Sequence, residues 1–216
     1  MNGIVLMSDR RVAAIPVREC GERLVDVRAH GMAADDRRRD VAGAYAHVRQ
    51  GVLTRLLHAR SLLPTGVRLL FVEGFRPPDL QRRYFEEYSD EVARTHPDWR
   101  ATELREAASR FVSPPEIAPH FAGTAVDVTL TGHRGPEPAP GTRVDASPEK
   151  SDGACSTGAP ALGARARTNR AVLGGAPSAA GSITYGTERW HRSYGNRYWA
   201  LRTGRPAALY GPVGLP

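Results

Sequence analysis

The chain has 216 residues, 41% of them hydrophobic and 25% charged, which is enough to bury a core without disulfide staples and excludes a disordered or fibrous polypeptide. Its net charge of +7 is carried almost wholly by arginines scattered beside acidic residues, Lys150 being the only lysine, and this is not the concentrated, aromatic-interleaved basic face of a nucleic-acid binder. No run approaches the ~20 apolar residues of a membrane span and no basic leader precedes the short apolar start, so a soluble cytoplasmic protein with no membrane or nucleic-acid partner is expected.

Along the chain, "RVAAIPVRECGERLVDVR" (11–28) predicts short extended pieces broken by Pro16 and Gly21. After the polar "ADDRRRD", residues Val41, Tyr45, Val48, Val52, Leu56, Ala59 and Leu63 recur at steps of three and four. That spacing predicts one amphipathic helix, ended by Pro64 and Gly66. "VRLLFV" (67–72) predicts a buried strand, and "EGFRPPDLQ" a turn into a second helix with Leu80, Tyr84, Tyr88 and Val92 on one face. "ATELREAASRFV" (101–112) predicts a third helix stopped by "SPPE", and "TAVDVTL" (124–130) a further strand. From about 131 to 182 the composition shifts to Gly, Pro, Ala and Ser, an irregular, insertion-like stretch with a helical patch near "ARARTNRAVL". The aromatic-rich end, "SITYGTERWHRSYGNRYWALRTGRPAALYG", is expected to return to the sheet. This order predicts a single α+β domain over 1–216, its mixed, mostly antiparallel sheet flanked by helices. Cys20 and Cys155 form no CxxC pair and are expected to be unpaired thiols.

Of the seven histidines, His30, His47, His58, His96 and His133 lie in helical, polar or turn-like surroundings that call for nothing beyond a surface or satisfied imidazole. His120 and His191 keep different company. In "PHFAGTAVDV" (119–128), His120 and Asp127 stand seven positions apart, and in one unbroken strand they would face opposite ways. Either this is a strand edge carrying two polar groups, or Gly123 turns the chain so that both reach one ion. "TERWH" (187–191) is likewise either a surface Glu and His flanking a core Trp190 or half of a metal site. Together the two stretches offer His120, Asp127 and His191 as ligands to a zinc ion with one position left for water, and Glu188 as a base outside that shell. Arg76, between a strand and a proline-fixed turn, is a candidate to stabilise an oxyanion, or else a salt-bridged surface arginine.

Taken together these pieces resemble the zinc D-alanyl-D-alanine dipeptidases of the vancomycin-resistance (VanX) type, a D,D-peptidase group that shares its fold with the hedgehog signalling domain. The hallmarks are H-x-x-G-x-A-x-D, then E-x-W-H, preceded by a strand running into Y/F-R-P. Here they read "HFAGTAVD" (120–127), "ERWH" (188–191) and "FRP" (75–77), within a resemblance running from about "RVAAIPVREC" to "ALYGPV". The resemblance implies one Zn2+ held by His120, Asp127 and His191, with Glu188 as general base and acid. It implies that Arg76 polarises the scissile carbonyl and that Asp145, in "GTRVD", helps to hold the substrate's ammonium. Two departures stand out: Ala118 replaces a serine common two residues before the first histidine, and Arg189 fills the variable slot of E-x-W-H, followed by Arg192. These two guanidiniums could pair with an acidic substrate, Arg189 then being a substrate-binding residue, or point to solvent. The expected activity is zinc-dependent hydrolysis of D-alanyl-D-alanine or a related small D,D-dipeptide. The competing readings are a zinc amidase or peptidase on another cell-wall or specialised-metabolite peptide, and a zinc-binding module without catalysis.

Overall fold

Between residues 125 and 132, Val126, Val128 and Leu130 join one hydrophobic core while Asp127, lying between them in sequence, faces the opposite side of the sheet. This alternation separates a dry layer from a chemical one. The computed structural model describes residues 3–132 and 140–215, so His133 and positions 133–139 of the expected irregular stretch lie outside the described residues.

Among the described residues seven strands form: β1 (Leu24–Asp26), β2 (Ala33–Ala34), β3 (His47–Arg49), β4 (Val67–Glu73), β5 (Ala125–Gly132), β6 (Ile183–Thr184) and β7 (His191–Ser193). Five of them make a sheet of order β2-β4-β5-β7-β6, in which only the β2–β4 pair is parallel. β1 and β3 pair separately, antiparallel. The helices are α1 (Arg10–Ala14), α2 (Gln50–Ser61), α3 (Pro78–Thr95), α4 (Ala101–Ala108), α5 (Ala164–Ala179) and α6 (Arg197–Arg202). The architecture is the α+β arrangement expected, a mixed and mostly antiparallel sheet with helices against it.

On one face, Leu53 and Leu56 of α2 and Leu173 and Ala176 of α5 pack against Phe71, Val126, Val128 and Leu130. Each large side chain so buried contributes about 1.5–3 kcal/mol. A second cluster joins Val72, Val144, Cys155 and Trp190, and a third joins α3 to α4 through Tyr88, Val92, Ala108 and Val112. Both cysteines are free thiols, Cys20 exposed and Cys155 buried. Among the described residues no helix is long and apolar enough to cross a membrane.

Two expectations are corrected. The helix predicted from Val41 to Leu63 begins only at Gln50, because the preceding residues form a 3-10 turn (Ala44–Ala46) and strand β3. Asp40 accepts the backbone N–H of Ala44 and Tyr45, and Gly43 turns left-handed at φ 69°, after which β3 pairs with β1. Tertiary pairing overrides the helical spacing, and Val41 stands fully exposed. Residues 11–28 likewise contain helix α1, which Asp9 caps by accepting from the N–H of Arg11, ahead of the extended β1. The helical patch of the irregular stretch becomes α5.

Candidate metal centre and catalytic cavity

His120 sits in a 3-10 turn (His120–Ala122) that Gly123 closes in the left-handed region, at φ 66°. A side chain at Gly123 would be strained there and would overlap Leu24. Thr124 donates its hydroxyl to the Pro119 carbonyl at 2.7 Å, and the buried Arg49 donates to Ala122 at 2.9 Å, fixing the turn from both sides. Immediately beyond, β5 carries Asp127, whose register partner on β7 is His191. Strands β6 and β7 form a hairpin, and its loop holds Glu188 through a hydrogen bond from its N–H to the Tyr185 carbonyl.

These elements bring the four side chains together. Nε2 of His120 lies 3.7 Å from Oδ1 of Asp127, Nδ1 of His191 lies 3.3 Å from the same oxygen, and Oε2 of Glu188 is 3.7 Å from Nδ1 of His191. One ligand atom from each of His120, Asp127 and His191 falls within 4.8 Å of the others, and all three residues are buried. The imidazoles are held from behind. Nδ1 of His120 is 2.7 Å from the Gly74 carbonyl, which only accepts, so the proton sits on Nδ1 and the Nε2 lone pair faces inward. Nε2 of His191 is 3.2 Å from Oγ of Ser193, leaving Nδ1 inward.

Oδ1 of Asp127 is buried and has no hydrogen bond of good geometry. An orphaned carboxylate oxygen between two inward lone pairs is costly unless a cation meets all three, so this donor set fits a divalent metal. The electrostatics agree. Burial pushes His120 down to about 4, with Arg76 and His191 reinforcing the shift, so its imidazole is neutral as ligation requires. Burial opposes ionisation of Asp127, but His120, His191 and Arg76 outweigh it and hold the carboxyl below its ordinary range. Glu188 goes the other way. Burial, then the charges of Asp127 and Asp145, raise its carboxyl well above the usual range despite Arg76.

Arg76 lines the same cavity and is fixed on three sides. Its Nε and Nη2 donate to the two oxygens of Glu73 at 2.8 and 2.7 Å, and its Nη1 donates to Oε1 of Gln81 at 2.9 Å. Gln81 in turn donates to the Ser113 carbonyl at 2.7 Å. A bulge in the β4–β5 register between Phe71 and Glu73 swings Glu73 off the core side and toward Arg76. Gly74 follows it because a side chain there would overlap the His47 carbonyl. Burial opposes the charge on Glu73, but Arg76 prevails and keeps the carboxyl ionised.

Asp145 also lines the cavity, in a left-handed backbone conformation at φ 64°. Its Oδ2 receives a hydrogen bond from Nε of Arg38 at 3.2 Å and lies 3.1 Å from Nη2 of the same guanidinium in an ion pair. Burial pushes this carboxyl up to about 6, with Arg38 opposing. Arg189 is not brought to the cavity. It is 1% exposed and donates to Oγ1 and the carbonyl of Thr142 at 3.0 and 2.6 Å. Arg192 is 2% exposed and donates to the carbonyls of His191, Leu173 and Arg189. The solvent-facing and substrate-facing alternatives for this pair both give way to a role inside the fold. Sequence reasoning missed Glu73, Gln81, Ser193 and Arg38. Only Glu73 leaves a trace in the sequence, as a charge ending an apolar strand three residues before Arg76.

No protein-family model matches the chain, and no curated protein matches it in sequence. Among solved structures, a mutant of the vancomycin-resistance D,D-pentapeptidase VanY from the VanB-type cassette, in complex with Zn(II), aligns at 15% identity and TM-score 0.44, covering 77% of this chain and 84% of its own. The LD-carboxypeptidase LdcB aligns at 16% identity and TM-score 0.47, covering 87% of this chain and 76% of its own. VanYB in complex with D-alanine-D-alanine aligns at 16% identity and TM-score 0.38, over 77% and 82%. At this level of likeness the functional reading rests on the chain's own residues.

Proposed function

We propose that the protein is a zinc-dependent peptidase that hydrolyses short D,D-peptides, D-alanyl-D-alanine or a close relative. The observation that carries this reading is the convergence of His120, Asp127 and His191 around an orphaned oxygen, with Glu188 and Arg76 on the same cavity wall. The stereochemistry comes from the motif resemblance. Two imidazoles and one carboxylate form a donor set that suits zinc and leaves a coordination position open. Bound there, zinc would lower the pKa of a water to about 7 and polarise a carbonyl oxygen.

The position of Glu188, 3.7 Å from His191, supports it as the group that takes the proton of the attacking water and returns it to the leaving amine. Its raised proton affinity suits the return step. Arg76, held rigid by Glu73 and Gln81, offers a fixed positive charge to the oxygen that becomes negative as the carbonyl turns tetrahedral. The cavity, of about 260 Å3, is walled by Tyr84, Tyr88 and Phe111 on the side away from the sheet. A panel of D,D-, L,D- and L,L-dipeptides, each both free and N-acetylated, assayed with metal analysis of the purified protein, tests the reading. Cleavage of D,D-peptides that is lost on chelation and restored by zinc is expected. A metal-replete protein inert toward the whole panel contradicts it.

A further inference from the structure

Resting on the peptidase reading, we infer that Arg38 is a specificity-determining residue that turns the cavity away from free dipeptides and toward peptides whose amino end is acylated. A free dipeptide presents an ammonium group one residue before the scissile bond, and this needs an available carboxylate. Among the acids lining the cavity, Asp127 and Glu188 belong to the metal centre, Glu91 pairs with Lys150 at 3.4 Å, and Glu87 lies near Arg83 on α3. Asp145 remains, and Arg38 holds its Oδ2 through two nitrogens.

Arg38 is not a loose rim charge. It sits at the end of a 3-10 turn (Asp36–Arg38), its side chain is only 25% exposed, and its Nη1 donates to the Tyr84 hydroxyl at 3.3 Å. Its guanidinium carbon lies 5.3 Å from the centre of the Tyr84 ring, and its Nε is 3.8 Å from Oε2 of Glu73. An ammonium approaching Asp145 would meet this anchored guanidinium and would have to share with it a carboxylate whose charge is already paired. A neutral amide meets no such opposition. Arg38 and Asp145 also line a second hollow, bounded by Thr142, Val144 and Ala146, into which an acyl extension can run.

The test compares D-alanyl-D-alanine with N-acetyl-D-alanyl-D-alanine, by kcat/KM for release of D-alanine and by calorimetric binding to the wild type and to Glu188→Gln. The wild type is expected to favour the acetylated peptide by about tenfold or more. Arg38→Ala frees Asp145 and should shift the ratio toward the free dipeptide by a similar factor, whereas Arg38→Lys should keep the wild-type preference. Thermal melting and zinc content establish that each variant is folded, and the wild-type ratio decides by itself if one is not. If neither peptide is hydrolysed but the acetylated one binds more tightly, the role of Arg38 stands and the peptidase reading falls. Preference of the wild type for the free dipeptide, equal or absent binding of both, or an unchanged ratio in folded Arg38→Ala overturns the inference.

Discussion

Asp127 holds a buried oxygen between two imidazoles, and the first expectations follow from that position. Asp127→Ala should lose stoichiometric metal, measured by elemental analysis after dialysis, since two histidines alone leave a poor zinc site. Glu188→Gln should keep the metal and lose about 10²–10⁴-fold in kcat, because the proton carrier is gone while the ligands remain. Glu188 and Glu73 are both buried acids, but they affect stability with opposite signs. Glu73 is held below its ordinary value of 4.5 by Arg76, so it contributes stability above that pH and loses it on acidification. Glu188 is raised above 4.5, so the metal-free fold loses stability as the pH rises past that value. Glu188→Gln should therefore raise the Tm of the metal-free protein at pH 7 and leave it nearly unchanged at pH 4. A lower Tm at pH 7 would contradict the assigned burial. The grouping of His120, Asp127 and His191 with Glu188 was legible in the sequence because each of the two motifs that carry them is local. Arg38 was not, because its partner Asp145 lies 107 residues away and only folding brings them together.

At the scale of elements, the site is built from the bulged end of β4, the 3-10 turn before β5 and the β6–β7 hairpin. Gly123→Ala places a side chain in the left-handed region against Leu24, which should cost about 1–3 kcal/mol in denaturant unfolding. Because His120 rides on the same turn, zinc affinity should fall together with stability. Arg76→Met leaves Glu73 buried without its bidentate partner, which should destabilise the fold by about 3–5 kcal/mol. Strands β4 and β5 and helix α3 could be read from their apolar patterns and from the Pro77-Pro78 start. The segment from Val41 to Arg49 could not, since the same buried Tyr45 and Val48 satisfy a helix in isolation and a strand once β1 is present to pair with β3. The bulge that aims Glu73 is a matter of register and leaves no compositional mark.

For the whole molecule, the sheet divides the protein into a dry face that holds α2 and α5 and a face where charge is concentrated. The arginine excess, read from the sequence as dispersed, is partly taken inside. Arg49, Arg76, Arg189 and Arg192 are all buried; Arg49, Arg189 and Arg192 donate to carbonyls and hydroxyls of segments distant in sequence, and Arg76 to the nearby Glu73 and Gln81. Metal bound only by the folded state should raise the Tm in proportion to the logarithm of its concentration, and chelation should reverse the gain. The most direct test of the central claim is a peptide-hydrolysis assay on metal-stripped protein titrated with zinc. Activity toward a D,D-peptide should rise linearly and plateau at one equivalent of zinc in the wild type, and should stay at background throughout in Glu188→Gln. Hydrolysis by the stripped protein, or none at any zinc level on any peptide of the panel, would contradict the account.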